Sequence, residues 1–132
     1  MHMLDTDISI YAMNDRSSVL TRRLESVPRA LLAISTISVA ELRFGASNSA
    51  RPVLNHARVD TFIGPLEKIH FGEREADTYG KIKDGLVRTG QYIGDLDAMI
   101  AAVALAQDLT LVTNNVRHFS RVPGLRWENW LE

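Results

Sequence analysis

The 132-residue chain contains no cysteine. Disulfides, zinc–thiolate sites and thiol catalysis are therefore excluded, and a cytoplasmic setting is the default expectation. Long apolar runs are also missing. The longest uncharged stretches, "ALLAISTISVA" and "AMIAAVALAQ", are about half of the roughly twenty residues that a membrane span needs, so no membrane association is expected. No secretory leader, internal repeat, low-complexity tract or linker is read. Charge of one sign is not in excess either, since the net charge is −1, and the bulk balance demands neither nucleic acid nor membrane. What the chain does have is 45% hydrophobic residues, enough for a real core in one domain spanning 1–132.

Apolar patterning divides the chain into short buried runs and longer periodic segments. "HML", "ALLAIST", "LEKIHF" and "LTLVT" read as strands, and "LRWENW" as an edge strand. Helices are expected at "ISIYAM", at "SSVLTRRLESV" with Val19, Leu20, Leu24 and Val27 inward, and at "SVAELRFGAS" with Gly45 near its end. Others follow from Pro52 to about Ile63, over "EREADTYGKIKDGLVRTG" with Ala76, Tyr79, Ile82 and Leu86 inward and Gly90 as the stop, and over the all-round apolar "DAMIAAVALAQ". Strands alternating with helices predict an α/β architecture around a mostly parallel sheet flanked by helices. Such sheets bind ligands at the edge where the strands end.

Acids gather at that edge. Asp5 follows the first strand, Glu41 stands a few residues after the second, in the first turn of its helix, and Asp97 opens the apolar helix. "TNN" (Thr113, Asn114, Asn115) follows "LTLV". Each acid has a structural alternative. Asp5 or Thr6 can cap the first helix, Ser38-Val39-Ala40-Glu41 has the spacing of a capping box, and Asp95 or Asp97 can cap the helix after Gly94. Asp7 reads as a polar residue of the first turn. Caps alone do not need so many carboxylates, because Thr6, Thr36 and Ser38 are already present. Carboxylates beyond the caps suit a hard divalent cation such as Mg²⁺ or Mn²⁺. With Asp5, Glu41 and Asp97 neutralised by metal, the rest of the chain carries a small excess of Lys and Arg, compatible with a polyanionic substrate.

In order along the chain, "MLDTDI", "STISVAELRFGA", "IGDLDAMIAAVALA" and "LVTNNVRHFSRVPGLRWENWL" resemble the signature segments of PIN-domain ribonucleases, nearest the VapC toxins of bacterial toxin–antitoxin pairs. The resemblance implies a PIN-like fold and a Mg²⁺- or Mn²⁺-dependent endoribonuclease. Its expected chemistry is in-line attack of an activated water on an RNA phosphodiester, leaving a 5′-phosphate and a 3′-hydroxyl. The family's acids fall on Asp5, Glu41 and Asp97 as metal ligands. Its fourth acid falls on Asn115, whose amide carries no charge, with Thr113 orienting the site. Asp95 can compensate in part for the missing acid, and Asp7 lies near the site. The resemblance also implies a homodimer, a cognate VapB-type antitoxin that blocks the cleft, and inhibition of translation by cutting structured RNA. Transfer RNA is favoured, and the "TNN" variant looks most like members acting on initiator tRNA.

Around this site, Arg117 and Arg121 flank Phe119, a combination that either holds single-stranded RNA or forms a solvated turn over a core phenylalanine. His118 reads as an exposed surface histidine, with phosphate contact as the alternative. Arg22-Arg23 reads as a solvated helix face, and Trp127 and Trp130 as packing anchors. Two other functions compete. "LDTDIS" resembles the nucleophile motif of haloacid-dehalogenase-type phosphatases, with Asp5 phosphorylated and Asp7 as acid/base, but that fold leaves Glu41 and "TNN" without a role. Asn115 alone supports a PIN-fold module that binds RNA or protein without catalysis.

Overall fold

The computed structural model describes residues 1–132. Its elements run β1 (His2–Leu4), α1 (Thr6–Met13), α2 (Ser18–Ser26), β2 (Leu32–Ser35), α3 (Thr36–Ser47), α4 (Pro52–Ile63), β3 (Glu67–Ile69), α5 (Glu73–Arg88), α6 (Asp95–Ala106), β4 (Thr110–Val112), α7 (Val116–Phe119) and β5 (Trp127–Glu128). The five strands form one sheet in the order β3-β2-β1-β4-β5, and every pairing is parallel. This is an α/β fold with the architecture expected of a PIN domain.

Side-chain alternation along the strands divides the core between two faces. Met3, Ala33 and Leu111 are in register and pack with α5 and α6. Leu4, Ile34 and Val112, the next residues along, pack with α1 to α4. Helix α6 lies close on the sheet because its buried surface is mostly alanine: Ala98, Ala101, Ala102 and Ala104 join Ile100 and Val103. No helix is long and apolar enough to cross a membrane.

Several local expectations change. Helix α3 starts earlier than its pattern suggests: Ser35 is the N-cap, accepting from Ser38 N, so Ser38-x-x-Glu41 is not a capping box and Glu41 sits in the second turn. Gly94, at φ +95°, precedes α6 without any side-chain cap, so neither Asp95 nor Asp97 caps that helix. In α5, Ala76 faces solvent while Glu75 is buried. Its carboxylate accepts from Gly72 N and Gln107 Nε2, satisfying an otherwise unpaired helix-start N–H. Gly90, at φ +69°, follows the end of α5 as expected of a helix stop. Trp130 is buried, and its indole N–H donates to Glu128. Trp127, by contrast, stands on the edge strand, 36% exposed.

Strand order places the site. The chain leaves β1 toward β2 and β3, then returns to the other side of β1 as β4 and β5. Progression therefore reverses between β1 and β4, and the crevice beyond their carboxyl ends is where such sheets bind ligands. Asp5 and Thr113 follow these two strands directly.

Candidate active site

Asp5 combines a structural and an electrostatic role. As N-cap of α1, its Oδ1 accepts from Ile8 N at 2.8 Å. Its Oδ2 accepts from the Thr113 hydroxyl at 2.5 Å. The side chain is buried, and burial pushes the carboxyl up from 3.8 to about 7. The Asp7 and Asp97 charges push the same way, against the two hydrogen bonds. Burial likewise raises Glu41, helped by the charges of Asp97 and Asp7. Its Oε1 accepts from the Thr6 hydroxyl at 2.6 Å, and Thr6 lies 3.0 Å from the buried Ser38 hydroxyl.

Asp97 stands in the first turn of α6, where the helix dipole favours an acid. Its Oδ2 lies 3.2 Å from Asn115 Nδ2 and 2.8 Å from His118 Nδ1. Thr113, fully buried, links the two halves: while its hydroxyl donates to Asp5, its oxygen accepts from Asn115 N at 2.8 Å. Asp7 is exposed in the first turn of α1.

Four carboxylates thus influence one another electrostatically. None pairs with a lysine or arginine, and the one cationic partner is His118, when protonated. The donors are all oxygen, and Asp5 and Glu41 are held above the usual carboxylate range first by burial and then by the neighbouring negative charges. No three His, Asp or Glu side chains are grouped as a ready metal-binding set. A closed cage is not what Mg²⁺ needs, because it keeps several waters and takes one or two carboxylates. The donor chemistry therefore fits a hydrated hard cation.

The PIN domain family profile matches residues 2–125. This chain belongs to the PIN-domain family. It is closely related to the VapC-type toxins of VapBC toxin–antitoxin systems. Ribonuclease VapC2 of Rickettsia felis is 39% identical over 131 residues, 98% of each chain. The tRNA(fMet)-specific endonuclease VapC of Salmonella typhimurium is 37% identical over 128 residues, covering 97% of this chain and 96% of the relative. The crystal structure of VapBC2 from Rickettsia felis, bound to a DNA fragment from their promoter, superimposes with a TM-score of 0.92 at 38% identity, covering 98% of each chain. Membership in the PIN family leaves no place for the haloacid-dehalogenase likeness of "LDTDIS".

The PIN fold brings Asp5, Asp7, Glu41, Asp97, Thr113 and Asn115 to one edge, as described. It does not bring Asp95 there. Asp95 Oδ1 accepts from Tyr92, from Tyr79 at 3.1 Å and from Lys83 at 3.0 Å. The Tyr92 bond, then Lys83 and Tyr79, hold its carboxyl down at about 2. None of its hydrogen bonds reaches the acidic cluster, so it does not stand in for the absent fourth acid. Arg117 is exposed beside the site and forms no ion pair. Phe119 is core, 1% exposed, which removes it as a stacking surface for bases.

Three participants were not legible as such. Thr6 and Ser38 read as helix-start residues, although Ser38 lies three positions before Glu41 and therefore on its helix face. His118 is not a free surface histidine. It lies three residues after Asn115, and that spacing, on a helix, brings both to Asp97.

Proposed function

We propose that residues 1–132 act as a single PIN unit, a Mg²⁺-dependent endoribonuclease that also accepts Mn²⁺ and serves as the toxin of a toxin–antitoxin pair. The observation that carries this reading is the set of Asp5, Asp7, Glu41 and Asp97 around the β1–β4 crevice without a lysine or arginine partner. Asp5, Glu41 and Asp97 would hold the cation, directly or through water. When bound, such an ion supplies an activated water and neutralises charge on the non-bridging phosphate oxygens.

The protein's own groups do the rest. Thr113 and Ile8 N hold Asp5, and Thr6 orients Glu41. Asn115 donates to Asp97 where the family pattern has an acid. Arg117, free of ion pairs beside the acids, suits an RNA phosphate. The favoured substrate is tRNA, with initiator tRNA first in line. Its support is the 37% identity to a tRNA(fMet)-specific endonuclease.

The proposed setting is cytoplasmic, as a homodimer held inactive by a VapB-type antitoxin. A cavity of about 750 Å³ between α1, α2 and α4, lined in part by Leu4, Leu24, Val27, Phe62 and Leu66, supports such a partner. An intervening surface hollow shares Thr61 with it and Arg58 with a smaller one of about 240 Å³ that Glu41 helps to wall. An apolar antitoxin segment that followed this surface would approach Glu41.

Asn115 favours a second reading, a PIN module that binds RNA without cutting it. Purified antitoxin-free protein incubated with total tRNA in Mg²⁺, in Mn²⁺ and in EDTA, beside Asp97→Asn, separates the two. Discrete fragments that need metal and vanish in the variant support the nuclease, and their ends name the target. Intact tRNA in every lane removes the tRNA assignment. Ribosomal and messenger RNA left intact as well would overturn the nuclease and favour the binding module, which retained RNA binding would then demonstrate.

A further inference from the structure

Asn115 and His118 meet Asp97 at a single oxygen. Asn115 Nδ2 is 3.2 Å and His118 Nδ1 2.8 Å from Oδ2, and the two nitrogens are 2.9 Å apart. A carboxylate oxygen only accepts and an amide nitrogen only donates. With Asp97 ionised, a proton on Nδ1 lets both nitrogens donate to Oδ2, and the 2.9 Å approach between the nitrogens is then a contact of two donors converging on one oxygen, not a hydrogen bond. The imidazole proton then sits on Nδ1, while Nε2 has no hydrogen-bond partner within the protein. Asp97 Oδ1 is likewise without a donor.

We propose that His118 is a positioning residue for Asp97. Together with Asn115 it clamps Oδ2 and leaves Oδ1 as the oxygen available to a cation or its water. The inference rests on the nuclease reading of the same site. Its physical basis is local. Asp97 lies at a helix start with no side-chain cap, so nothing on α6 itself restrains the carboxylate. Helix α7 supplies the restraint from outside, and two donors in fixed positions select one carboxylate orientation. Outer partners of this kind change metal affinity by about 10- to 100-fold when removed.

The test uses three variants of the full chain. An asparagine at this position can place its amide nitrogen where Nδ1 stood, whereas a glutamine amide reaches the place of Nε2. Mn²⁺ binding, followed by the resonance of the free ion, should weaken about tenfold or more in His118→Ala and His118→Gln. His118→Asn should bind close to wild type. Cleavage of tRNA should follow the same order, with the loss in kcat and little change in KM. Nitrogen-15 NMR of labelled histidine in mildly alkaline buffer should show His118 protonated on Nδ1, a reading independent of activity.

Active wild-type protein with all three variants unchanged overturns the proposal alone. So does rescue by glutamine but not asparagine, which would give the role to Nε2, and so does an Nε2-protonated ring. Wild-type protein that neither binds Mn²⁺ nor cuts RNA overturns the nuclease reading and this proposal with it.

Discussion

The Thr113 hydroxyl donates to Asp5 Oδ2 at 2.5 Å, although 108 residues separate the two in sequence. The bond closes the crevice between the ends of β1 and β4. Because the same oxygen accepts from Asn115 N, the hydroxyl proton has one direction left, toward Asp5. The neighbourhood is organised from the acid outward: Asp5, Thr113, Asn115 and Asp97 form a chain of contacts that spans the sheet edge.

Thr113→Val keeps the shape and removes both bonds. It leaves a buried carboxylate oxygen and the Asn115 N–H unpaired, and destabilisation of about 1–3 kcal/mol is expected in urea unfolding. The bond also lowers the Asp5 pKa, so its loss should move the rise of ribonuclease activity with pH to higher pH. Thr113→Ser should restore both properties. A valine variant as stable as wild type would show that the bond is dispensable.

Much of this was legible in sequence for a physical reason. Strand and helix periodicities arise from burial, and the runs around Met3, Ile34 and Leu111 carry almost nothing but buried residues. An alternating α/β pattern then brings the strand ends together, so Asp5, Glu41, Asp97 and Asn115 could be picked before their geometry was known. Charge partners could not. Asp95 stands two residues from Asp97, yet its carboxylate meets Tyr79, Tyr92 and Lys83, a choice made by where α5 packs on α6. Ser35 displaced Ser38 as the cap of α3 because both are serines with suitable followers, and only the backbone turn decides between them. His118 looked like a surface residue because a four-residue helix leaves too little periodicity to assign a face.

Asp95→Asn tests that separation. The Lys83–Asp95 pair is exposed, and surface pairs contribute little. Metal-dependent cleavage should stay within a few-fold of wild type, while Asp97→Asn and Glu41→Gln each lose about a hundredfold or more. Equal losses at Asp95 and Asp97 would return Asp95 to the active site.

Phe119 separates packing from RNA contact. Phe119→Ala should destabilise the fold by about 3–5 kcal/mol through the cavity it leaves, visible as a lowered urea midpoint. Arg117→Ala, next to it but exposed, should leave the midpoint unchanged, raise KM for RNA and weaken the salt dependence of binding. The opposite pattern, with Phe119 affecting only RNA affinity, would make the ring a stacking surface after all.

The sharpest prediction concerns pH in the metal-free protein. Asp5 titrates at about 7 when folded against an ordinary 3.8. Between these values the folded chain holds a proton that the unfolded chain has released, so stability must fall as pH rises through that window, by at most about 4 kcal/mol. Glu41 is raised too and pushes the same way. Glu75, Asp95 and Glu128 are lowered instead. Their contribution is complete above the ordinary carboxylate range and is lost only in stronger acid, so it does not cancel the Asp5 trend. In EDTA, melting should therefore occur at a lower temperature at about pH 8 than at about pH 5. Asp5→Asn removes the titrating charge but keeps an acceptor for Ile8 N. Its single amide oxygen cannot serve both Ile8 N and the Thr113 hydroxyl, so the readout is the flattened pH dependence rather than the absolute melting temperature. Mg²⁺ should then raise the wild-type melting temperature most at high pH, where the carboxylates are ionised, and should leave Asp5→Asn nearly unmoved. If the ion stabilises both proteins alike, its site lies elsewhere, and Asp5 is a buried helix cap and no more.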